Sequence, residues 1–241
     1  MVALALPLLP PATPSGADLW WGAVAGVAGG IGVALLYRAL ALGVMSIVAP
    51  ITAVTAVALP VVTSIALGER PGGLAALGIL LGIASIVLVS RPASSPSPEG
   101  RGGQGARTAI GPALTAGIAI GVFLLALAQT RREAGLWPLL TDRIASVAFF
   151  AIVMAIARAS PRLTLNVTAL ALGGGALDMV ANALYLVAVR IGPFSPIVTL
   201  CALYPAATVL LARAILAERL SVWQAAGVVS ALTAVVLIVS G

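Results

Sequence analysis

Residues 43–70 read GVMSIVAPITAVTAVALPVVTSIALGER, and residues 192–219 read GPFSPIVTLCALYPAATVLLARAILAER. Each is an apolar run of membrane-crossing length that opens on glycine and closes on Glu-Arg. A shift of 149 residues, without gaps, lays one on the other. Gly43 falls on Gly192, Ser46 on Ser195, Glu69 on Glu218 and Arg70 on Arg219, and beyond the pair Gly78 falls on Gly227. The first glycine stands 26 residues before the Glu in both copies. A matched Glu-Arg pair carries weight in a chain with only 7 acidic residues.

Working outward, the rest of the chain has the same character. Hydrophobic residues make up 61% of its 241 residues and charged residues 8%. So few charges cannot cover the surface of a water-soluble domain of this size, so lipid is the solvent. About 20 apolar residues cross the hydrocarbon core as a helix. Eight such spans are expected, at 19–41, 46–68, 72–90, 109–129, 135–158, 165–189, 193–216 and 221–240. The runs are apolar on both parities, which excludes the alternation of a membrane β-barrel. The fold class is an all-α polytopic membrane protein.

The net charge of +6 comes entirely from arginine, as the chain has no lysine. The arginines flank apolar runs, within reach of headgroups, which points away from nucleic acid as a partner. No histidine is present, removing the commonest metal ligand and proton shuttle. The single Cys201 excludes an internal disulfide or cysteine metal cluster; within an apolar run it reads as a small buried residue. No metal or cofactor is expected.

The one long polar stretch is Arg91–Arg107, RPASSPSPEGRGGQGAR. Its Pro, Ser and Gly predict an extended or disordered linker. Residues 92–108 thus separate an incomplete first repeat at 19–91 from a second repeat at 109–241. Three spans precede the linker and five follow it. A five-plus-five architecture lacking its first two spans accounts for this, and an odd number of helices per repeat makes the halves inverted. Residues 1–18 then read as the remnant of a helix and its loop: MVALALPLLP is too short to span and runs into Pro10, Pro11 and Pro14. An upstream segment of about 40–60 residues would hold two helices; alternatively a second subunit, as in a homo-oligomer, covers the gap.

Charges inside spans are the most telling single residues, since each costs a few kcal/mol at mid-membrane unless paired or hydrated. Asp142 and Arg143 lie in the fifth span and Asp178 in the sixth, and these neighbouring spans run antiparallel. At about 1.5 Å per residue, Asp142, Arg143 and Asn182 fall roughly 10 Å from a shared face, with Asp178 one turn deeper. Arg143 is therefore expected to face Asp178 or Asn182, with Arg143 and Asp178 as the buried charge pair. Asp178 and Asn182 share a helix face with Tyr185 nearby, either as a polar stripe for substrate or coupling proton or as a lock between helices.

Pro50 and Pro60, and in the second copy Pro196 and Pro205, each free a carbonyl one turn back. Tyr204, Tyr37, Thr52 and Thr55 place hydroxyls near such breaks, as cavity candidates or as packing groups. Gly22, Gly26 and Gly30, Gly78 and Gly82, and Gly117 and Gly121 mark close helix approaches. Glu69-Arg70 and Glu218-Arg219 read as interfacial anchors. An intramembrane enzyme would need a nucleophile with its base, a metal set or paired carboxylates in a catalytic setting; none is present, and the chain reads as a non-enzyme.

Ala202-Leu-Tyr-Pro-Ala-Ala-Thr-Val-Leu-Leu-Ala-Arg, Ala217-Glu-Arg-Leu-Ser and Gln224-Ala-Ala-Gly, with Ala49-Pro-Ile-Thr and Leu67-Gly-Glu-Arg in the first copy, resemble the EamA-type drug/metabolite transporters. The resemblance spans nearly the whole chain; it implies ten helices in two inverted repeats around a substrate cavity. By that measure the chain lacks about one and a half to two helices at its start. The resemblance further implies secondary transport of small metabolites, amino acids or drug-like compounds, often export, in a multi-pass protein of the cytoplasmic membrane. Its partners would be a small-molecule substrate and membrane lipid. The alternative is a truncated, non-transporting membrane subunit with an interaction role.

Overall fold

The computed structural model describes residues 12–42, 45–89, 102–158, 165–203 and 221–240. Among them are eight α-helices and no strand. They are α1 (Gly16–Leu42), α2 (Met45–Ala66), α3 (Gly73–Val89), α4 (Gly102–Ala128), α5 (Trp137–Ile156), α6 (Leu165–Ile191), α7 (Phe194–Cys201) and α8 (Val222–Ser240). A 3-10 turn at Arg132–Ala134 precedes α5. Among the described residues, four segments are long and apolar enough to cross a membrane: Gly16–Leu42, Thr108–Ala128, Trp137–Ile156 and Val167–Ile191.

Two boundaries depart from the sequence reading. α4 begins at Gly102, inside the stretch read as linker, and runs through Pro112. Hydropathy marks where lipid begins, whereas helical hydrogen bonding continues into polar residues. The seventh span begins as α7 and turns at Ala202 and Leu203; its expected remainder, with Tyr204, Pro205, Glu218 and Arg219, lies outside the described residues, as do the N-terminal remnant to Pro11 and most of the linker. Cys201 is exposed rather than buried, standing at the end of the short α7.

The helices group into two compact units that cut across the boundaries expected for two repeats: Met1–Gly30 with Phe123–Gly192, and Ile31–Val122 with Pro193–Gly241. In the first unit, α1 runs parallel to α5, because Gly22 meets Pro138 and Thr141, Gly26 meets Asp142 and Ala145, and Gly30 meets Phe149. Glycines four apart place bare backbone on one face, and the α5 backbone lies directly on it. The Gly26 Cα faces the Asp142 carbonyl so closely that no Cβ fits between them.

In the second unit, α4 lies parallel to α2. A Cβ on Gly117 would stand 2.7 Å from the Thr52 carbonyl oxygen, and one on Gly121 would stand 3.2 Å from that of Ala56. Ala56 is the residue whose carbonyl Pro60 leaves without its helical donor, and α2 nonetheless runs unbroken through Pro60. A small apolar core of Ala39, Val48, Ala109 and Ala113 ties α1, α2 and α4 together, with Leu36, Leu40 and Ile51 around it. α3 and α8 pair antiparallel: Gly78 packs against Ile238 and Ala234, and Gly82 against Ala234 and Thr199. These are the two helices that the 149-residue shift equates, Gly73 falling on Val222.

Candidate functional site

The first unit holds the charges that fall within segments long and apolar enough to cross a membrane. Asp142 and Arg143 are neighbours on α5, so their side chains leave the axis about 100° apart. Arg143 turns towards α6. Its Nη2 donates to Asp178 Oδ2 at 2.5 Å, and its Nε points at Met179 Sδ, 2.9 Å away. Asn182, one turn along α6, donates from Nδ2 to the same Asp178 oxygen at 3.2 Å. Arg143 thus meets Asp178, one of the two partners the depth count anticipates, and also Met179 beside it, which the count does not.

Burial is distributed otherwise than expected. The Asp178 side chain is 55% exposed and that of Arg143 32%, whereas Asp142 is 2% exposed. Asp142 Oδ2 lies 3.5 Å from Arg143 Nε, yet no hydrogen bond reaches this buried oxygen. The buried member of the cluster is therefore Asp142, and the pair Arg143–Asp178, expected to be buried, lies at the unit's surface. The reason is angular: α1 covers the side of α5 that carries Asp142, through Gly26.

The other expected site residues divide between the units. Tyr185 is buried, and its hydroxyl donates to the Leu124 carbonyl at 2.7 Å. This bond joins α6 to the end of α4, so Tyr185 is committed to packing. A Tyr185→Phe change is expected to lower stability by about 0.5–1.5 kcal/mol, read from denaturant titration in mixed micelles, while leaving the Arg143–Asp178 pair in place. In the second unit Thr52 is buried and donates to the Ala113 carbonyl at 3.2 Å, and Thr55 bonds back to Ile51. Both are packing groups of the α2–α4 contact. Tyr37 is 68% exposed on α1. Tyr204 lies outside the described residues.

Two further polar clusters hold helix ends. Asp18, in the first turn of α1, accepts from Ser15 N and Oγ and from Arg131 N, Nε and Nη2. Arg190 of α6 donates to the Gly135 carbonyl and to Thr130 Oγ1. Together they pin the turn between α4 and α5 within the first unit. These arginines are engaged with the protein, beyond the headgroup role their positions suggest.

Glu69 has the least expected partner. α2 ends in a Schellman turn: Gly68 has φ +100°, Glu69 N donates to the Ser64 carbonyl at 2.9 Å, and Gly68 N to Ile65 at 3.0 Å. That left-handed turn aims Glu69 at the start of α7, whose own N-cap position is Pro193, without a capping side chain. The Ser195 backbone N–H donates to both Glu69 carboxylate oxygens at 3.1 and 3.2 Å, and Ser195 Oγ to Oε2 at 2.8 Å. Ser64 Oγ completes the knot, 2.5 Å from Ser195 Oγ. A carboxylate on a helix N-terminus is favoured by hydrogen bonding and by the helix dipole. Glu69→Ala would leave the buried Ser195 donors unpaired and is expected to destabilise by about 1–3 kcal/mol, with Glu69→Asp recovering part of the loss in thermal unfolding.

No protein-family model matches the chain, and no curated protein matches it. Among the solved structures, a chain titled only "Crystal structure of protein" is similar, at 18% identity and TM-score 0.56, over 92% of this chain and 86% of that one. At this identity the likeness is one of fold. Among the described residues, no group of three or more His, Cys, Asp and Glu side chains is placed to hold a metal ion.

Proposed function

We propose that this protein is a multi-pass membrane transporter of the EamA drug/metabolite type, exporting small metabolites, amino acids or drug-like compounds across the cytoplasmic membrane. The observation that carries the reading is the cluster of Asp142, Arg143, Asp178 and Asn182, set within two helices apolar enough to span. Ionisable groups at such depth are costly, and they mark substrate or ion pathways more often than they serve packing. The half-exposed Asp178 and Asn182 present a carboxylate and an amide, suited to an ammonium or a hydrogen-bonding solute.

The helix directions support the same reading. A chain that crosses the bilayer alternately makes α1 and α5 parallel, α2 and α4 parallel, and α3 and α8 antiparallel, which is how each pair packs within its unit. The antiparallel pairing of α3 with its repeat counterpart α8 fits inverted halves.

The test is counterflow in vesicles containing the purified full chain, preloaded with a panel of amino acids, amines and lipophilic cations. Saturable uptake of one class is expected, weakened by at least about tenfold in Asn182→Ala, as loss of one charge-assisted contact implies. Vesicles that exchange no member of the panel, with the protein folded and inserted, would overturn the transporter reading.

A further inference from the structure

Asp142 has a charge problem that the described residues do not solve. It lies on α5 at 2% exposure, and its Oδ2 receives no hydrogen bond. Arg143 is the cation beside it, with Nε 3.5 Å from that oxygen, and the hydrogen bonds of that guanidinium go elsewhere: Nη2 to Asp178 and Nε to Met179. From α1 the facing residue is Gly26, which offers backbone alone. α1 carries no charge between Leu19 and Gly30, and the end of α4 carries none from Phe123 to Ala128. Among the described residues, the other charges of the unit sit at helix ends: Asp18 with Arg131, Arg132, Glu133 and Arg190 around the α4–α5 turn, and Arg158 beyond α5. Two carboxylates therefore share one guanidinium, leaving one negative charge in excess on the more buried of the two.

A buried carboxylate with an oxygen that receives no hydrogen bond is penalised by burial in its charged form. One added positive charge removes the excess. A metal ion would need several more oxygen ligands than the cluster has, and the described residues include no such set. A proton needs no ligand shell and no room. It converts Asp142 to a neutral acid and leaves Arg143 and Asp178 as a balanced pair.

We infer that Asp142 is the proton-binding carboxyl of this site, loaded from one side of the membrane and released to the other when a substrate cation supplies the compensating charge near Asp178. The role in coupling rests on the transporter reading above. The step moves one proton onto and off Asp142 and breaks no other bond.

The test begins with protonation itself. In the purified full chain in lipid nanodiscs, isotope-edited infrared spectra at neutral pH are expected to show the carbonyl band of a protonated aspartic acid. That band should be lost in Asp142→Asn and kept in Asp178→Glu, which retains the second carboxylate beside Arg143. If Asp142→Asn does not fold, Asp142→Glu takes its place, and the aspartic band should vanish as a glutamic one appears. A wild-type spectrum without the band, or a band that survives the change at Asp142, overturns the inference. In vesicles, an imposed pH gradient should drive accumulation of the exchanged compound by the wild type, and the ratio of uptake with and without the gradient should fall to unity in Asp142→Asn. A gradient response that persists overturns the coupling role. Absence of exchange for every compound overturns the transporter reading, and the infrared result then decides Asp142 independently.

Discussion

Gly26→Leu is expected to leave little folded protein. The glycine lies against the Asp142 carbonyl, and a Cβ there would also stand 2.9 Å from the Ala145 Cβ. Neither neighbour is the free end of a flexible side chain. Leucine adds further carbons that have nowhere to go unless α1 leaves α5, and Gly22 and Gly30 would then lose their contacts as well. Overpacking of this kind costs about 1–3 kcal/mol where the core can shift, and more where it cannot; a loss of about 3 kcal/mol or more is expected here. Gly174, within α6, whose Cβ would meet nothing within 4 Å, supplies the control: Gly174→Leu should change stability little. Heat-resistant monodisperse protein, measured by size exclusion in detergent, reads both. Equal survival of the two variants would contradict the close α1–α5 contact.

The second large effect is expected from Arg143→Ala. It withdraws the guanidinium from Asp142 and Asp178 together, leaving Asp178 with Asn182 as its remaining donor. Removing one partner of a buried ion pair costs about 3–5 kcal/mol; with the Asp178 side chain 55% exposed, the low end, about 3 kcal/mol, applies. Adding Asp178→Asn should restore more than half of the loss, because the unpaired carboxylate goes with it. Denaturant titration of the two variants in mixed micelles checks this. A double variant no more stable than Arg143→Ala would mean that the guanidinium acts through packing along its stem. Asp178→Ala alone should cost less, about 1–2 kcal/mol, since Arg143 keeps Asp142 beside it.

The sequence made helix lengths legible because apolar length and helix length are nearly the same quantity in lipid. The span expected at 165–189 forms as Leu165–Ile191, and that at 72–90 as Gly73–Val89. The meeting of Arg143 with Asp178 was legible too, since rise per residue gives depth. Depth says nothing of azimuth. Asp142 and Arg143 share a height and point to different neighbours, so the identity of the buried carboxylate appears only when α1 is seen to cover one side of α5. The hydroxyls of Thr52 and Tyr185 illustrate the same limit. A hydroxyl on an apolar helix has the same letter whether it faces a cavity or a carbonyl, and these two face Ala113 and Leu124. The Glu69 knot was hidden by distance along the chain, although the repeat marks both members: Glu69 and Ser195 belong to motifs that recur at Glu218 and Ser46.

That knot bears on the order in which the protein is made. α7 has eight residues, too few to hold together unaided, and it starts without a cap of its own. The acceptor at its start is Glu69, 126 residues earlier. At roughly 5–20 residues per second, the ribosome finishes Glu69 about 6–25 s before Ser195 emerges. The first half of the chain thus acts as a template for the second. α7 is completed by docking onto a carboxylate already waiting, and errors in placing the end of α2 are inherited by a helix translated long afterwards.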